Sequence, residues 1–358
     1  MAVLVTGFPG FIGARLLPRL LELSSDESFV CLVQERFLDL ARRELAAIED
    51  RHPAARGRLS TVTGDITVPG LGLAAGDAQR LRRELTAAHH LAAVYDLAVS
   101  RELGLRVNVE GTRNVLAYLA EAPRFTRLHY VSTAYVSGTA TGLFRESDLD
   151  VGQGFKNHYE ETKFLAEVEV ARSGLPATIC RPSIVVGDSR TGETGKFDGP
   201  YFMLGAMEKL PSPGLFLRGS RTNSVNLVPV DFVVEALARL SARPESGTRT
   251  YHLTDPRPLP VLEVERLFAR ALGKSFVYVP VPRAVAKAVF SVPPVRRFFG
   301  MPAQTLDYFD HPLRFDATEA TRVLGELGLE CPRLTDYADR LVAFYRERRG
   351  TVRREAMV

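Results

Sequence analysis

Cysteine is scarce in this 358-residue chain: Cys31, Cys180 and Cys331 are the only three, and neither paired nor metal-ligand spacing links them. A disulfide framework and a cysteine-built metal site are therefore not expected. Cys31 and Cys180, inside apolar strand-like runs, read as buried structural thiols. No apolar run approaches the about 18 to 20 residues that a membrane-spanning helix requires. The chain enters a strand-like run at once, without a charged segment, an apolar stretch and a small-residue cleavage site, so no secretion signal is expected and a cytoplasmic location follows. Its 46 basic and 42 acidic side chains are interspersed, giving a net charge of +4 but no basic stripe of the kind nucleic acid needs. Repeats and low-complexity tracts are missing too. What remains is an ordinary globular composition, 46% hydrophobic and 25% charged, long enough for one large core or two smaller ones.

Short apolar runs alternate with helical patterns through the first half. Residues 2–5, 29–33, 59–62, 89–92, 128–132 and 177–180 read as strands, and residues 15–23, 38–49 and 107–120 as helices. This is the βαβ rhythm of an α/β, doubly wound parallel sheet, the Rossmann arrangement. From residue 187 to 215 the texture changes to Gly, Pro, Asp and Thr, and beyond Pro256 it is rich in Pro and Arg. Residues 224–240 again read as a buried strand running into a helix. The expected division is a dinucleotide-binding domain of residues 1–186 plus about 224–250. A smaller, interleaved substrate region and lid would comprise about 187–223 plus 251–350.

Two local patterns carry chemistry. Gly7, Gly10 and Gly13, within Gly7-Phe8-Pro9-Gly10-Phe11-Ile12-Gly13, follow a strand and precede a helix. That context lets the backbone approach a pyrophosphate and aims helix N-terminal amides at it. A tight turn without a ligand is the competing reading. Tyr159 and Lys163 stand four apart in a segment expected to be helical over 157–172, which puts phenol and ammonium on one face. A neighbouring cation favours the phenolate, and bringing a tyrosine from about 10 to about 7 takes roughly 4 kcal/mol. The end of the second strand carries Gln34, Glu35 and Arg36, with Arg42 and Arg43 beyond. Glu35 suits a free ribose hydroxyl, and Arg36 a 2′-phosphate. Arg42 and Arg43 read equally well as a solvated helix face. NADP(H) is favoured over NAD(H).

With these motifs the chain resembles the extended short-chain dehydrogenase/reductase superfamily through most of its length. Gly64-Asp65-Ile66 resembles the segment whose acid meets the adenine, and His90-Leu91-Ala92-Ala93 the strand end beside the cofactor. Asn108 lies in Asn108-Val109-Glu110-Gly111-Thr112-Arg113-Asn114, which resembles the helix whose asparagine braces the active site. Val131-Ser132-Thr133-Ala134-Tyr135-Val136-Ser137-Gly138 is similar to the strand bearing the catalytic hydroxyl, and aligning its final glycine puts that role on Thr133 rather than Ser132. Arg181-Pro182-Ser183-Ile184-Val185-Val186-Gly187 is similar to the loop that binds the nicotinamide amide. The resemblance thus implies catalytic roles for Thr133, Tyr159, Lys163 and Asn108. It implies cofactor contacts from the glycine turn, Gln34, Arg36, Asp65, Ile66, Ala92, Ala93, Pro182, Ser183 and Ile184, and no metal.

Asp65-Ile66-Thr67-Val68-Pro69-Gly70-Leu71-Gly72-Leu73 and Asn226-Leu227-Val228-Pro229-Val230-Asp231 resemble the thioester reductase and fatty acyl-CoA reductase branch, whose NAD-binding part is male-sterility-like. No adenylation or carrier domain is expected alongside these motifs, and Asn157-His158 before the tyrosine has no assigned role. The branch implies reduction of a hydrophobic acyl thioester, on coenzyme A or an acyl carrier protein, to aldehyde or alcohol. Competing readings with the same residues are a dehydrogenase or ketoreductase acting on a steroid-like or 3-oxoacyl compound, and a nucleotide-sugar epimerase or dehydratase. A redox-sensing regulator that binds dinucleotide without turnover would typically lack Tyr159 or Lys163. Residues 283–301, with Phe290, Phe298, Phe299 and Met301 near Lys287, Arg296 and Arg297, read as a lid over an acyl chain, or else as a membrane-surface contact. The superfamily implies a homodimer, though no stretch marks an interface.

Overall fold

The opening run Ala-Val-Leu-Val-Thr has every residue buried, which a strand experiences when helices cover both faces of its sheet. The computed structural model describes residues 1–299, 307–308 and 311–350. In chain order it begins β1 (Ala2–Thr6), α1 (Gly13–Leu23), β2 (Ser28–Val33), α2 (Leu38–Arg51), β3 (Leu59–Thr63), α3 (Ala75–Glu84), β4 (Leu85–His90), α4 (Arg101–Gly104) and α5 (Gly111–Ala120). Next come β5 (Arg127–Val131), β6 (Gly142–Phe144), α6 (His158–Arg172), β7 (Ala177–Pro182), β8 (Ile184–Val186), α7 (Pro200–Lys209), β9 (Gly214–Leu217), β10 (Leu227–Pro229) and α8 (Val230–Ala242). The remainder is β11 (Arg249–Leu253), α9 (Val261–Ala271), β12 (Phe276–Val279), α10 (Arg283–Ser291), α11 (Pro293–Phe299), β13 (Leu313–Phe315), α12 (Thr318–Glu326) and α13 (Leu334–Arg348).

Seven strands form one all-parallel sheet in the order β11-β7-β5-β4-β1-β2-β3. Val5 pairs with Cys31 on one side and His89 on the other. The chain runs outward in opposite senses from β1 and β4, so the loops after those strands diverge and open a crevice at their C-terminal ends. This is the Rossmann arrangement expected from the βαβ rhythm.

Alternation along β1 feeds two cores. Val3 and Val5 pack with Leu16, Leu17 and Leu20 of α1 and with Val233 and Leu237 of α8. Ala2 and Leu4 join Val115 and Leu119 of α5 and Ala166 and Val170 of α6 on the other face. A third core gathers Leu204 and Met207 of α7, Val264 and Phe268 of α9, and Leu341 of α13. Short parallel pairs β8–β10, β9–β12 and β6–β13 tie the later chain together. The strand expected within 224–240 therefore pairs with β8 rather than with the main sheet, whose outer place goes to β11. Helix α12, from the stretch assigned to the substrate region, contributes Ala320, Val323 and Leu324 to the core of α1 and α8.

The strand expected over 89–92 instead runs from Leu85 to His90. Its middle residues, Ala87 and Ala88, fit the crowded sheet centre although their composition does not advertise a strand. The helix expected over 107–120 contains a π-helical stretch, Leu105–Glu110, before α5. Residues 283–299 form α10 and α11, on which Val285, Val289, Val292 and Phe298 are exposed. Met301 lies outside the described residues, as do the side chains of Lys287, Phe290, Arg296 and Phe299. No helix among the described residues is long and apolar enough to cross a membrane.

Candidate active site

The glycine turn sits at the crevice between β1 and β4. Gly7 has φ +84°, and a Cβ there would lie 2.8 Å from the Ala92 amide nitrogen; a Cβ on Gly13 would lie 2.7 Å from the Gly7 carbonyl oxygen. Both positions are thus closed to other residues without backbone movement. The Gly10 amide donates to the Gly7 carbonyl at 2.9 Å, and the Phe8–Pro9 bond is cis. Between them, Phe8 is buried while Phe11 and Ile12 pack on the α1 core. No side chain caps α1 and no acid stands in its first turn, leaving the N-terminus suited to a phosphate.

At the other end of the crevice Gln34 Nε2 donates to Asp65 Oδ2 at 3.0 Å. Arg36 donates twice to Gln34 Oε1, at 2.8 and 3.0 Å, and its guanidinium lies 4.7 Å from the Phe37 ring centre. Asp65 Oδ1 accepts from the Thr67 amide and hydroxyl. Ile66 is buried, packs against Gly111, and accepts from Asn114 Nδ2 at its carbonyl. Arg42 and Arg43 lie on the exposed face of α2.

Helix α6 begins at Asn157, whose Oδ1 accepts from the Glu160 amide as an N-cap. Its side chain also donates to Tyr308 Oη at 2.6 Å, and Tyr308 in turn donates to the buried Glu160 carboxylate at 2.7 Å. The cap thus has two duties that the sequence did not reveal. One turn spacing along α6 aligns Tyr159, Lys163 and Glu167 toward the end of β5. There the strand's period separates the two hydroxyls in question. Ser132 donates to Glu167, deep in the molecule, whereas Thr133 stands beside the Tyr159 phenol and donates to the Pro182 carbonyl at 3.4 Å.

Burial pushes the Tyr159 phenol up to about 12, with the Thr133 hydroxyl opposing the rise. The expected lowering by Lys163 is absent: that ammonium donates to Tyr130 Oη at 3.0 Å and to the Val131 carbonyl at 2.9 Å instead. Burial pushes Lys163 down to about 8, against the pull of Glu167. The Tyr159 phenol therefore carries its proton at neutral pH. Asn108 is buried within the π-helical stretch, where it accepts from the Val94 amide at 2.8 Å and donates to the Val94 carbonyl and to Thr162 Oγ1. It braces the loop carrying Ala92 and Ala93 against the helix that bears Lys163, and acts through those groups.

Ser183 donates to Asn226 Oδ1 at 2.7 Å, and Asn226 binds the Asp255 backbone through both ends of its amide. Ile184 starts β8, its amide donating to the Asn226 carbonyl. Asn226 also lines a cleft with Tyr135, Tyr308, Leu313, Arg314 and Phe315, two residues along from Thr133. Ser224, Pro258 and His311 complete its walls, which thus mix aromatic and aliphatic side chains with polar ones and the charged Arg314. Of the residues singled out in the sequence, the glycine turn, Ala92, Thr133, Tyr159, Lys163, Pro182 and Ser183 converge on the crevice. Tyr130, Asn157, Glu160 and Tyr308 were missed. Among the described residues no cluster of His, Cys, Asp or Glu is placed to hold a metal ion.

Comparison with known proteins gives these features a context. A model of an NAD-binding family described as male sterility protein matches residues 5–237. A component of the linear gramicidin synthase of Brevibacillus parabrevis is 28% identical over 375 residues, covering 98% of this chain and 7% of the synthase component. The fatty acyl-CoA reductase wat of Drosophila melanogaster is 28% identical over 272 residues, covering 66% of this chain and 53% of that protein. The chain therefore spans about half, or far less, of these relatives. The crystal structure of the terminal R domain from the myxalamid PKS-NRPS biosynthetic pathway superposes with a TM-score of 0.81 at 29% identity, covering 97% of this chain and 90% of the other.

Proposed function

Because the chain belongs to the male sterility protein family of extended short-chain dehydrogenase/reductase enzymes, we propose that it reduces an acyl thioester with NADPH, the acyl group being carried on a carrier protein or coenzyme A. One observation carries the reading: the Tyr159 phenol, protonated and beside Thr133, shares one face of α6 with the buried Lys163, and a cleft begins at Tyr135, two residues along from Thr133. The relatives' names, a linear gramicidin synthase, a fatty acyl-CoA reductase and a terminal R domain of a biosynthetic pathway, agree with an acyl group on a thiol.

When bound, the reduced nicotinamide supplies a hydride to the carbonyl carbon. Tyr159 gives its proton to the carbonyl oxygen, and Thr133 donates a second hydrogen bond to it. Lys163 holds the nicotinamide ribose hydroxyls, while Asn108 keeps the Val94 loop and Thr162 in place. The hemithioacetal then breaks its carbon–sulfur bond, releasing aldehyde and a thiolate that takes up a proton; a second hydride would give the alcohol. No cysteine nucleophile is required, in keeping with the buried Cys180 thiol, pushed up by burial to about 12. Arg36, set on Phe37 and oriented by Gln34, is the group for a 2′-phosphate and the basis for choosing NADPH over NADH. The sheet with its flanking helices forms the dinucleotide-binding unit, and the third core with the cleft forms the substrate unit.

The test is NADPH oxidation with a panel of acyl-coenzyme A and carrier-bound thioesters, with free thiol followed in the same sample. Thiol released in step with NADPH loss supports the proposal, and chain-length dependence maps the cleft. Turnover confined to ketones or alcohols, without thiol release, would move the protein to a dehydrogenase reading.

A further inference from the structure

Behind Lys163 lies a buried polar chain that spans β1, β4, α5 and β5. The Lys163 ammonium donates to Tyr130 Oη, and the Thr112 hydroxyl stands beside that phenol. Thr112 Oγ1 lies 3.0 Å from His90 Nε2 and 2.6 Å from the Asn108 carbonyl oxygen. His90 Nδ1 lies 2.7 Å from Thr6 Oγ1, which also receives the Ala92 amide at 3.2 Å. Thr6, His90, Thr112, Tyr130 and Lys163 are all buried.

A carbonyl can only accept, so the Thr112 proton goes to Asn108, and the Thr112 oxygen is left to accept from His90 Nε2–H. Burial and the Lys163 charge push His90 down to about 3, so the ring is neutral; with its proton on Nε2 it presents a bare Nδ1 to the Thr6 hydroxyl, whose oxygen accepts from the Ala92 amide. Tyr130 turns a lone pair to Lys163, which leaves its proton on the side where Thr112 stands.

We propose that Tyr130 is a positioning residue for Lys163: its hydroxyl, oriented from behind by Thr112 and His90, keeps the ammonium charged and aimed into the crevice. This rests on the reading of Lys163 as the cofactor-side cation. The groups facing that ammonium are Tyr130 on β5, His90 on β4, and Glu167 on its own helix. Glu167 is engaged with Arg181 and Ser132, so Tyr130 and the Val131 carbonyl supply the hydrogen bonds.

The deciding measurement is the titration of the Lys163 Cε resonance in isotope-labelled protein, assigned with Lys163→Arg, in the wild type and in Tyr130→Phe. Loss of the phenol oxygen should lower the midpoint by about one pH unit, a tenfold fall in proton affinity. The basic limb of NADPH affinity should move by the same amount. A phenol that served only packing would lower thermal stability and leave the midpoint in place, which overturns the proposal. Thr112→Val should shift the midpoint in the same direction by less. If Tyr130→Phe does not fold, an unmoved midpoint in Thr112→Val overturns it equally. The resonance is read without cofactor or substrate, so a wild type that failed to reduce thioesters would refute the functional reading while leaving this decision intact.

Discussion

Two buried cations meet α6 about one turn apart, Lys163 on the helix itself and Arg181 through Glu167, and the protein treats them in opposite ways. Arg181 on β7 is closed by Glu167 through bonds of 2.6 and 2.9 Å, with Ser132 on the same carboxylate and His252 against its other amino group at 3.1 Å. Both members of that pair are almost wholly inaccessible. Lys163, one turn earlier, is given a phenol and a backbone carbonyl, which are neutral acceptors. A charge neutralised from within locks strands and helix together, whereas one held by neutral groups keeps its field for a ligand. The difference marks Arg181 as a structural cation and is what the proposed cofactor-side role of Lys163 requires.

Severing the structural pair should have the largest effect. Glu167→Gln leaves Arg181 buried without its carboxylate, so the free energy of unfolding should fall by about 3–5 kcal/mol in a denaturant titration. A loss below about 1 kcal/mol would mean that the pair is not a lock. Lys163→Met should behave oppositely: thioester reduction falls at least about a hundredfold, while stability at neutral pH holds or rises. A variant that loses both stability and activity in parallel would erase the distinction.

The contrast also predicts a pH dependence. Lys163 in the folded protein stands at about 8 against an ordinary value of 10.5. The unfolded chain therefore binds more protons between these values, and the cost of the buried charge is relieved as pH rises through them. Across that window the wild type should gain up to about 3 kcal/mol relative to Lys163→Met, read from paired unfolding curves. A constant difference would place Lys163 in a carboxylate's company after all. The smallest effect is expected at Arg36, another cation set beside a neutral partner. Arg36→Ala should reduce the preference for NADPH over NADH by about tenfold, and an unchanged ratio would assign the 2′-phosphate elsewhere.

What could be read along the chain was whatever repeats locally. The glycine turn, the strand–helix rhythm and the four-residue step from Tyr159 to Lys163 are short-range patterns, and all have their counterparts in the fold. Strand β4 was displaced because its central Ala87 and Ala88 are chosen for crowding between β1 and β5, not for intrinsic strand preference. The polar chain behind Lys163 and the cap of α6 could not be seen at all: Thr6 and His90 are 84 residues apart in the first, and Asn157 and Tyr308 are 151 apart in the second. Tyr130 did leave one trace. It stands two residues before Ser132, so strand alternation turns both toward α6, where they meet Lys163 and Glu167.

The double duty of Asn157 bears on how such a protein can be recombined. Serine or aspartate would cap α6 as well, but neither carries the amide that reaches Tyr308. A chimera that exchanged the chain around residue 308 for a relative's, in order to import a differently shaped cleft, would leave Asn157 and Glu160 addressing a foreign residue. The natural unit of exchange therefore includes the first turn of α6 together with the distant cleft wall, although about 150 residues of sequence lie between them.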